Sequence, residues 1–106
     1  MNGYAVDRKK WAAMSIFEQM GNISSEVGRS LQAKRKGDEK TADAAVVRAL
    51  DLFDATTEAW QILSPSRTKE LLRAKEEYLA AYSMPSKDNG IENYFMQFAI
   101  AARLTR

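Results

Sequence analysis

Acidic side chains at helical spacing are the clearest candidates for chemistry in this sequence. A helix predicted over residues 39–63 carries a stripe of four acids, Asp43, Asp51, Asp54 and Glu58. Glu26 borders the core face of a helix predicted over 15–36. Because carboxylates converging from adjacent helices can hold Mg²⁺, one interpretation is a metal site of Glu26, Asp51 and Asp54. The residues favour a second interpretation, in which the acids form a solvated face against basic neighbours and hold no metal and no cofactor.

Two short segments carry a first resemblance. The segment DLFD (51–54) supplies an acidic i, i+3 pair, whereas SEVGR (25–29) places Arg29 where a second carboxylate would stand. Paired acidic helices of this kind resemble MazG-like nucleotide pyrophosphatases, whose Glu-x-x-Glu and Glu-x-x-Asp motifs bind the metal. This resemblance implies a Mg-dependent nucleotide phosphohydrolase that lacks one of the expected ligands.

The predicted layout, a short bundle of four helices, also resembles that of HEPN-like domains. Many of those domains are ribonucleases with an Arg-x(4–6)-His motif. The chain has no histidine. The resemblance therefore implies the helical bundle and a protein partner, and RNA hydrolysis would need residues other than that motif.

A polar cluster on the first long helix offers a different use for Glu26. Asn22, Glu26 and Arg29 recur at i, i+4 and i+7, so they share one side of the helix. We predict that they meet Arg48 or Arg73 of neighbouring helices in a network that sets how the helices align. A ligand-binding role for the same residues is the alternative interpretation.

Basic residues form two short clusters, Arg8 to Lys10 and Lys34 to Lys36. They suggest a third reading, a polyanion binder using Arg8, Lys9, Lys10, Lys34, Arg35 and Lys36. No aromatic residues alternate with them along one face, and residues 38–63 hold six acids against two bases. Charge complementarity between helices explains this distribution at least as well, so we expect no nucleic-acid partner.

The absence of two residue types narrows the chemistry further. The 106 residues include no cysteine and no histidine, which disfavours disulfides, thiolate sites and most hydrolase and zinc mechanisms. No apolar run is long enough for a membrane span or a secretory signal. We expect a cytoplasmic bacterial protein, and the residues favour a binding protein over an enzyme.

Hydrophobic periodicity predicts an all-α fold, an up-down four-helix bundle with a lead-in over residues 1–14. The predicted helices span 15–36, 39–63, 66–82 and 91–104. We expect the second to be central, and Gly21 and Gly28 to mark a close approach by another helix. Five positions of the third, Leu71, Leu72, Tyr78, Leu79 and Tyr82, are predicted to face the core.

Three segments, MSIFEQMGNISSEVGR (14–29), RALDLFD (48–54) and NYFMQFA (93–99), resemble an uncharacterised family of short all-helical bacterial proteins. That resemblance implies the fold and a single domain over 1–106, and it transfers no site. The sequence therefore favours a non-enzymatic protein that acts through protein contact, either as a homodimer or with a different protein.

Overall fold

The computed structural model describes residues 5–61, 64–84 and 90–104, and all of their regular structure is helical. The described helices are α1 (Arg8–Ala12), α2 (Ile16–Arg35), α3 (Glu39–Trp60), α4 (Pro65–Ser83) and α5 (Ile91–Leu104). The all-α prediction is confirmed, and the lead-in contributes the short helix α1. The predicted end of the second helix, residues 62–63, lies outside the described residues. None of the helices in the described ranges is long and apolar enough to cross a membrane.

Local signals set the ends of α2. Ser15 and Glu18 form the predicted capping box, in which the Ser15 hydroxyl accepts from the Glu18 amide at 3.1 Å and the Glu18 carboxylate accepts from the Ser15 amide at 3.2 Å. Gly37 ends the helix with φ of 79°, a left-handed conformation that suits glycine. The Asp38 amide then donates to the Ala33 carbonyl at 2.9 Å. Because the Asp38 side chain also caps α3, this turn joins the two helices directly.

The helix at the centre of the packing is α2, which contradicts the expectation that residues 39–63 would be central. It makes the most extensive contacts in the described chain with both α3 and α5, and it also touches α4. Gly21 explains the closeness to α5, because a Cβ built there would lie 3.6 Å from the Ala102 Cβ and from the Ala99 Cα. The same expectation is wrong for Gly28, where an added Cβ would meet nothing within 4 Å.

Three buried aromatic rings, one each from α3, α4 and α5, pack together in the core. Phe53 of α3 lies 6.0 Å from Tyr78 of α4 and 5.7 Å from Phe95 of α5, measured between ring centroids. All three are fully buried and belong to the same cluster as the predicted α2 core residues Met20, Ile23, Val27 and Leu31. Aromatic side chains of this size contribute much of a small core.

The core face of α4 differs from the prediction. Leu72 and Leu79 are 41% and 36% exposed, whereas the smaller Ala74 and Ala81 are buried beside Leu71 and Tyr78. Leu72 and Leu79 are seven residues apart and lie together on the side of α4 that faces solvent. Hydrophobicity alone therefore gave the wrong core face for Leu72 and Leu79, because the orientation of α4 in the fold turns Ala74 and Ala81 inward instead.

Substitutions at two glycines test these backbone assignments. We expect Gly28→Ala to raise the free energy of unfolding by about 1 kcal/mol, because the added methyl meets open space and alanine favours the helix. Gly37→Ala should lower it by about 1 kcal/mol, because alanine is strained at a positive φ. Urea denaturation of both variants checks the pair, and changes of the same sign would contradict it.

Candidate functional site

The carboxylate of Glu26 connects α2 to α3. One oxygen, Oε1, accepts from Arg29 Nη1 at 2.6 Å, and the other, Oε2, accepts from Arg48 Nε at 2.8 Å. The Glu26 side chain is only 13% exposed, so both ion pairs are partly shielded from water. Three of the predicted network residues therefore come together, and both carboxylate oxygens are already bonded to guanidinium groups.

The other two residues of the predicted network lie elsewhere. The Asn22 amide donates to the Glu18 carbonyl of its own helix at 2.8 Å. Arg73 is exposed on α4, where it lines an open groove with Lys69, Glu70 and Glu77. The part of the predicted network that joins α2 to α3 thus consists of Glu26 and Arg48, without Asn22 or Arg73.

The two aspartates of the magnesium interpretation are engaged separately. Asp51 accepts from the Val6 amide at 2.7 Å and from Arg8 Nη1 at 2.9 Å. Asp54 accepts from Lys75 Nζ at 3.3 Å, on the side of α3 that faces α4. In the described ranges, no group of three or more acidic side chains is placed to hold a metal ion. Glu26, Asp51 and Asp54 are thus divided among three different sets of partners.

The remaining acids of the α3 stripe are also bonded across helices. Glu58 accepts from Arg8 Nε at 3.2 Å, and Asp43 accepts from the Tyr82 hydroxyl at 2.8 Å. The acidic stripe therefore faces the basic side chains Arg8 of α1 and Lys75 of α4, as the sequence favoured, whereas Asp43 bonds a neutral hydroxyl.

Half of the residues proposed for polyanion binding contact other helices. Arg8 joins α1 to α3 as described. Lys34 lies 4.7 Å from the centroid of the Tyr82 ring and 3.7 Å from a Glu39 oxygen, and Arg35 Nη2 lies 2.5 Å from Glu92 Oε1. Lys9, Lys10 and Lys36 are exposed. The two clusters therefore present less free positive charge than their sequence suggests.

A buried polar network around Gln19 was missed by the sequence analysis. Gln19 is 2% exposed, and its amide donates to the Trp11 carbonyl and accepts from the Trp60 indole, both at 2.8 Å. The Trp11 indole in turn donates to the Thr56 hydroxyl at 2.9 Å. These bonds hold α1, α2 and α3 together. A glutamine at a core-facing position of α2 was the signal that could have indicated it, because a buried amide needs hydrogen-bond partners.

Tyr78 places a second buried polar contact inside the core. Its hydroxyl lies 2.5 Å from Ser30 Oγ, which donates to the Val27 carbonyl at 2.9 Å, so Tyr78 is the donor to Ser30. Burial raises the pKa of Tyr78 to about 12. The phenol therefore stays protonated, and it links α4 to α2 as a neutral group.

The outward side of α5 is apolar, which the sequence analysis also missed. Met96, Ile100 and Leu104 are 50%, 49% and 80% exposed, and they recur every four residues opposite the buried Ile91 and Phe95. We call Met96, Ile100 and Leu104 the α5 outer face. The signal in the sequence was a helix with apolar residues on two opposite sides, where one side would have sufficed for the core.

The Gln19 network yields a stability prediction. Gln19→Met should lower the free energy of unfolding by about 1–3 kcal/mol, because it leaves the partly buried Trp60 indole without its partner and removes one of the two bonds to the Trp11 carbonyl. The matched control is Gln32→Met, at an exposed position of the same helix, which should change stability by less than about 0.5 kcal/mol. Urea denaturation measures both, and equal effects would contradict a structural role for Gln19.

The shifted pKa of Tyr78 predicts a loss of stability at alkaline pH. Below the ordinary pKa of 10.0, folded and unfolded chains both hold the proton, so the contribution is fully present. Between that pH and about 12 only the unfolded chain ionises. Because the unfolded chain then holds one proton fewer than the folded chain, the free energy of unfolding falls by about 1.4 kcal/mol per pH unit.

Tyr78→Phe should remove this share of the pH dependence. Urea denaturation of both proteins from neutral pH upward should give a shallower alkaline decline for the variant. Parallel declines for the two proteins would contradict the assignment.

Comparisons with protein-family models, with curated proteins and with solved structures returned no match. The resemblances to the short bacterial family and to MazG-like and HEPN-like domains therefore stay predictions.

Proposed function

We propose that this protein acts through protein contact and pairs with a second copy of itself along the α5 outer face. The observation that carries the proposal is the exposure of Met96, Ile100 and Leu104 on a helix whose opposite side already faces the core. Helical side chains four residues apart lie one above another, so these three form a continuous apolar ridge. A ridge of this kind loses its contact with water when a second helix packs on it.

Charge supports an antiparallel pair. Glu92 and Arg103 lie on the same flank of α5, on opposite sides of the midpoint between Met96 and Ile100. A two-fold axis through that midpoint would bring each Glu92 toward Arg103 of the second copy, whereas a parallel pair would place this flank of the two helices on opposite sides of the contact. Glu92 is 28% exposed beside its contact with Arg35, so part of its carboxylate can reach a second partner.

The size of α5 indicates how tight this association would be. Standard interfaces bury about 800 Å² per partner, and a single helix of 14 residues covers only part of such an area. We therefore expect a reversible dimer that depends on protein concentration.

The hydrolase alternative has less support. A carboxylate that binds Mg²⁺ or activates water needs free oxygens that converge with others. Glu26 and Asp51 instead use their oxygens on arginines and a backbone amide. We propose a non-enzymatic role, and the up-down order of the four long helices, a bacterial source and a cytoplasmic location belong to the same proposal on the strength of the sequence pattern.

Charge placed on the ridge tests the proposal. Ile100→Glu should raise the dissociation constant of the dimer about tenfold or more, because it places two carboxylates in the centre of the interface. Sedimentation equilibrium measures this constant. Leu72→Glu is the matched control, since Leu72 has a similar exposed fraction on α4. Circular dichroism confirms that both variants fold.

Either of two results would contradict the proposal. One is a wild-type protein that stays monomeric up to millimolar concentration. The other is a dimer that Leu72→Glu and Ile100→Glu weaken equally, since this would place the contact elsewhere. Arg103→Glu should also weaken the dimer, and this effect should be smaller at high salt. That result would support the antiparallel arrangement in particular.

A further inference from the structure

Two cavities of about 320 and 210 Å³ adjoin each other where the start of α2, the end of α3 and the start of α4 meet. They share Ile16, Trp60 and Arg67, and we call the pair the Trp60 cleft. The larger cavity is lined by residues from the lead-in, α2, the end of α3 and the start of α4, among them Met14, Gln19, Ala59 and Ser64. The smaller extends toward α5 between Phe17, Met20, Leu71, Tyr94 and Phe98.

The walls of the Trp60 cleft offer a ligand mainly carbon. Met20 and Leu71 are buried at its base, and Phe17 is partly exposed at its edge. Polar atoms nearby already have partners, because the Trp60 indole donates to Gln19 and the Tyr94 hydroxyl donates to Glu70. The body of a suitable ligand is therefore apolar, and cavities near 150 Å³ with such walls admit a benzene ring.

Arg67 gives the cleft its charge preference. It is the one cation that lines either cavity within the described part of the chain, and it lines both. It is exposed and forms no ion pair with any described residue. Glu70, the one acid among the lining residues, lies in the smaller cavity and accepts from the Tyr94 hydroxyl at 2.8 Å. Arg67 thus has both the position and the free donors to hold an anion at the entrance common to the two cavities.

We infer that the Trp60 cleft binds a small carboxylic acid with an aromatic or branched aliphatic body. The body packs against Ile16 and Trp60, and the carboxylate accepts from the Arg67 guanidinium. The start of α4 adds positive potential, because Ser64 and Arg67 belong to its first turn and Ser64 makes no capping bond with its side chain. This inference is independent of the α5 outer face, which lies on the other side of α5.

Phenylacetate and 4-methylpentanoate, each compared with its neutral amide, test the inference. Binding is followed by Trp60 fluorescence and by ¹⁵N chemical shifts of the amides of Ile16 and Ala59. We expect each acid to bind about tenfold or more tightly than its amide, because a charged hydrogen bond to Arg67 is available only to the acid.

Two variants locate the effect. Arg67→Gln should abolish the preference for acid over amide and leave amide binding unchanged. Arg73→Gln, which also removes an exposed arginine from α4 but does not line the cleft, should keep the preference. Ala59→Phe should block both ligands by filling the larger cavity, and circular dichroism checks its fold.

Three results would overturn the inference. The first is equal binding of acid and amide by the wild type. The second is a preference for the acid that persists in Arg67→Gln, and the third is no binding of either acid at millimolar concentration. Because Arg67→Gln changes only an exposed side chain, this arm stays decisive even where Ala59→Phe fails to fold.

Discussion

The packing of Phe53 between Tyr78 and Phe95 is the interaction on which the rest of this structure depends. The helices α4 and α5 touch each other little among the described residues, so their relative position is set through α2 and through these three rings. The α5 outer face lies on α5, and the walls of the Trp60 cleft include residues of α4 and α5 as well as of α2 and α3. If the ring of Phe53 were lost, the two helices would lose their common support, and a cavity of this size would also destabilise the core.

Electrostatic pairing has a second, more local role. Glu26, Asp51 and Asp54 each join α3 to a different neighbour, namely α2, the N-terminal segment with α1, and α4. Acidic residues that looked like a ligand set therefore act as connectors between helices. Such pairs contribute modestly where they are exposed, and more where they are shielded as at Glu26. Their distribution explains why an almost neutral chain shows one acidic helix and basic surroundings.

Helix α5 separates the two proposed binding surfaces. Its inner side packs on α2 through Gly21 and on the core through Phe95. Tyr94 and Phe98 line the smaller cavity of the Trp60 cleft on one flank, while the ridge of Met96 and Ile100 faces outward. A partner on the ridge and a small acid in the cleft could bind together without sharing a residue, so the two hypotheses stand or fall separately.

The sequence by itself determined the four long helices, their starts to within one residue and the end of α2, because capping at Ser15, chain reversal at Gly37 and the proline start of α4 are local interactions within a few residues. It also indicated the connection of Glu26 with Arg29 and Arg48. Tertiary structure alone decided that alanines rather than Leu72 and Leu79 face the core, that Gln19 bonds two tryptophans, and that Arg67 lines an apolar cleft with no ion pair to any described residue. These outcomes depend on which helices approach and how closely, and that distance is set by the packing of residues far apart in the chain.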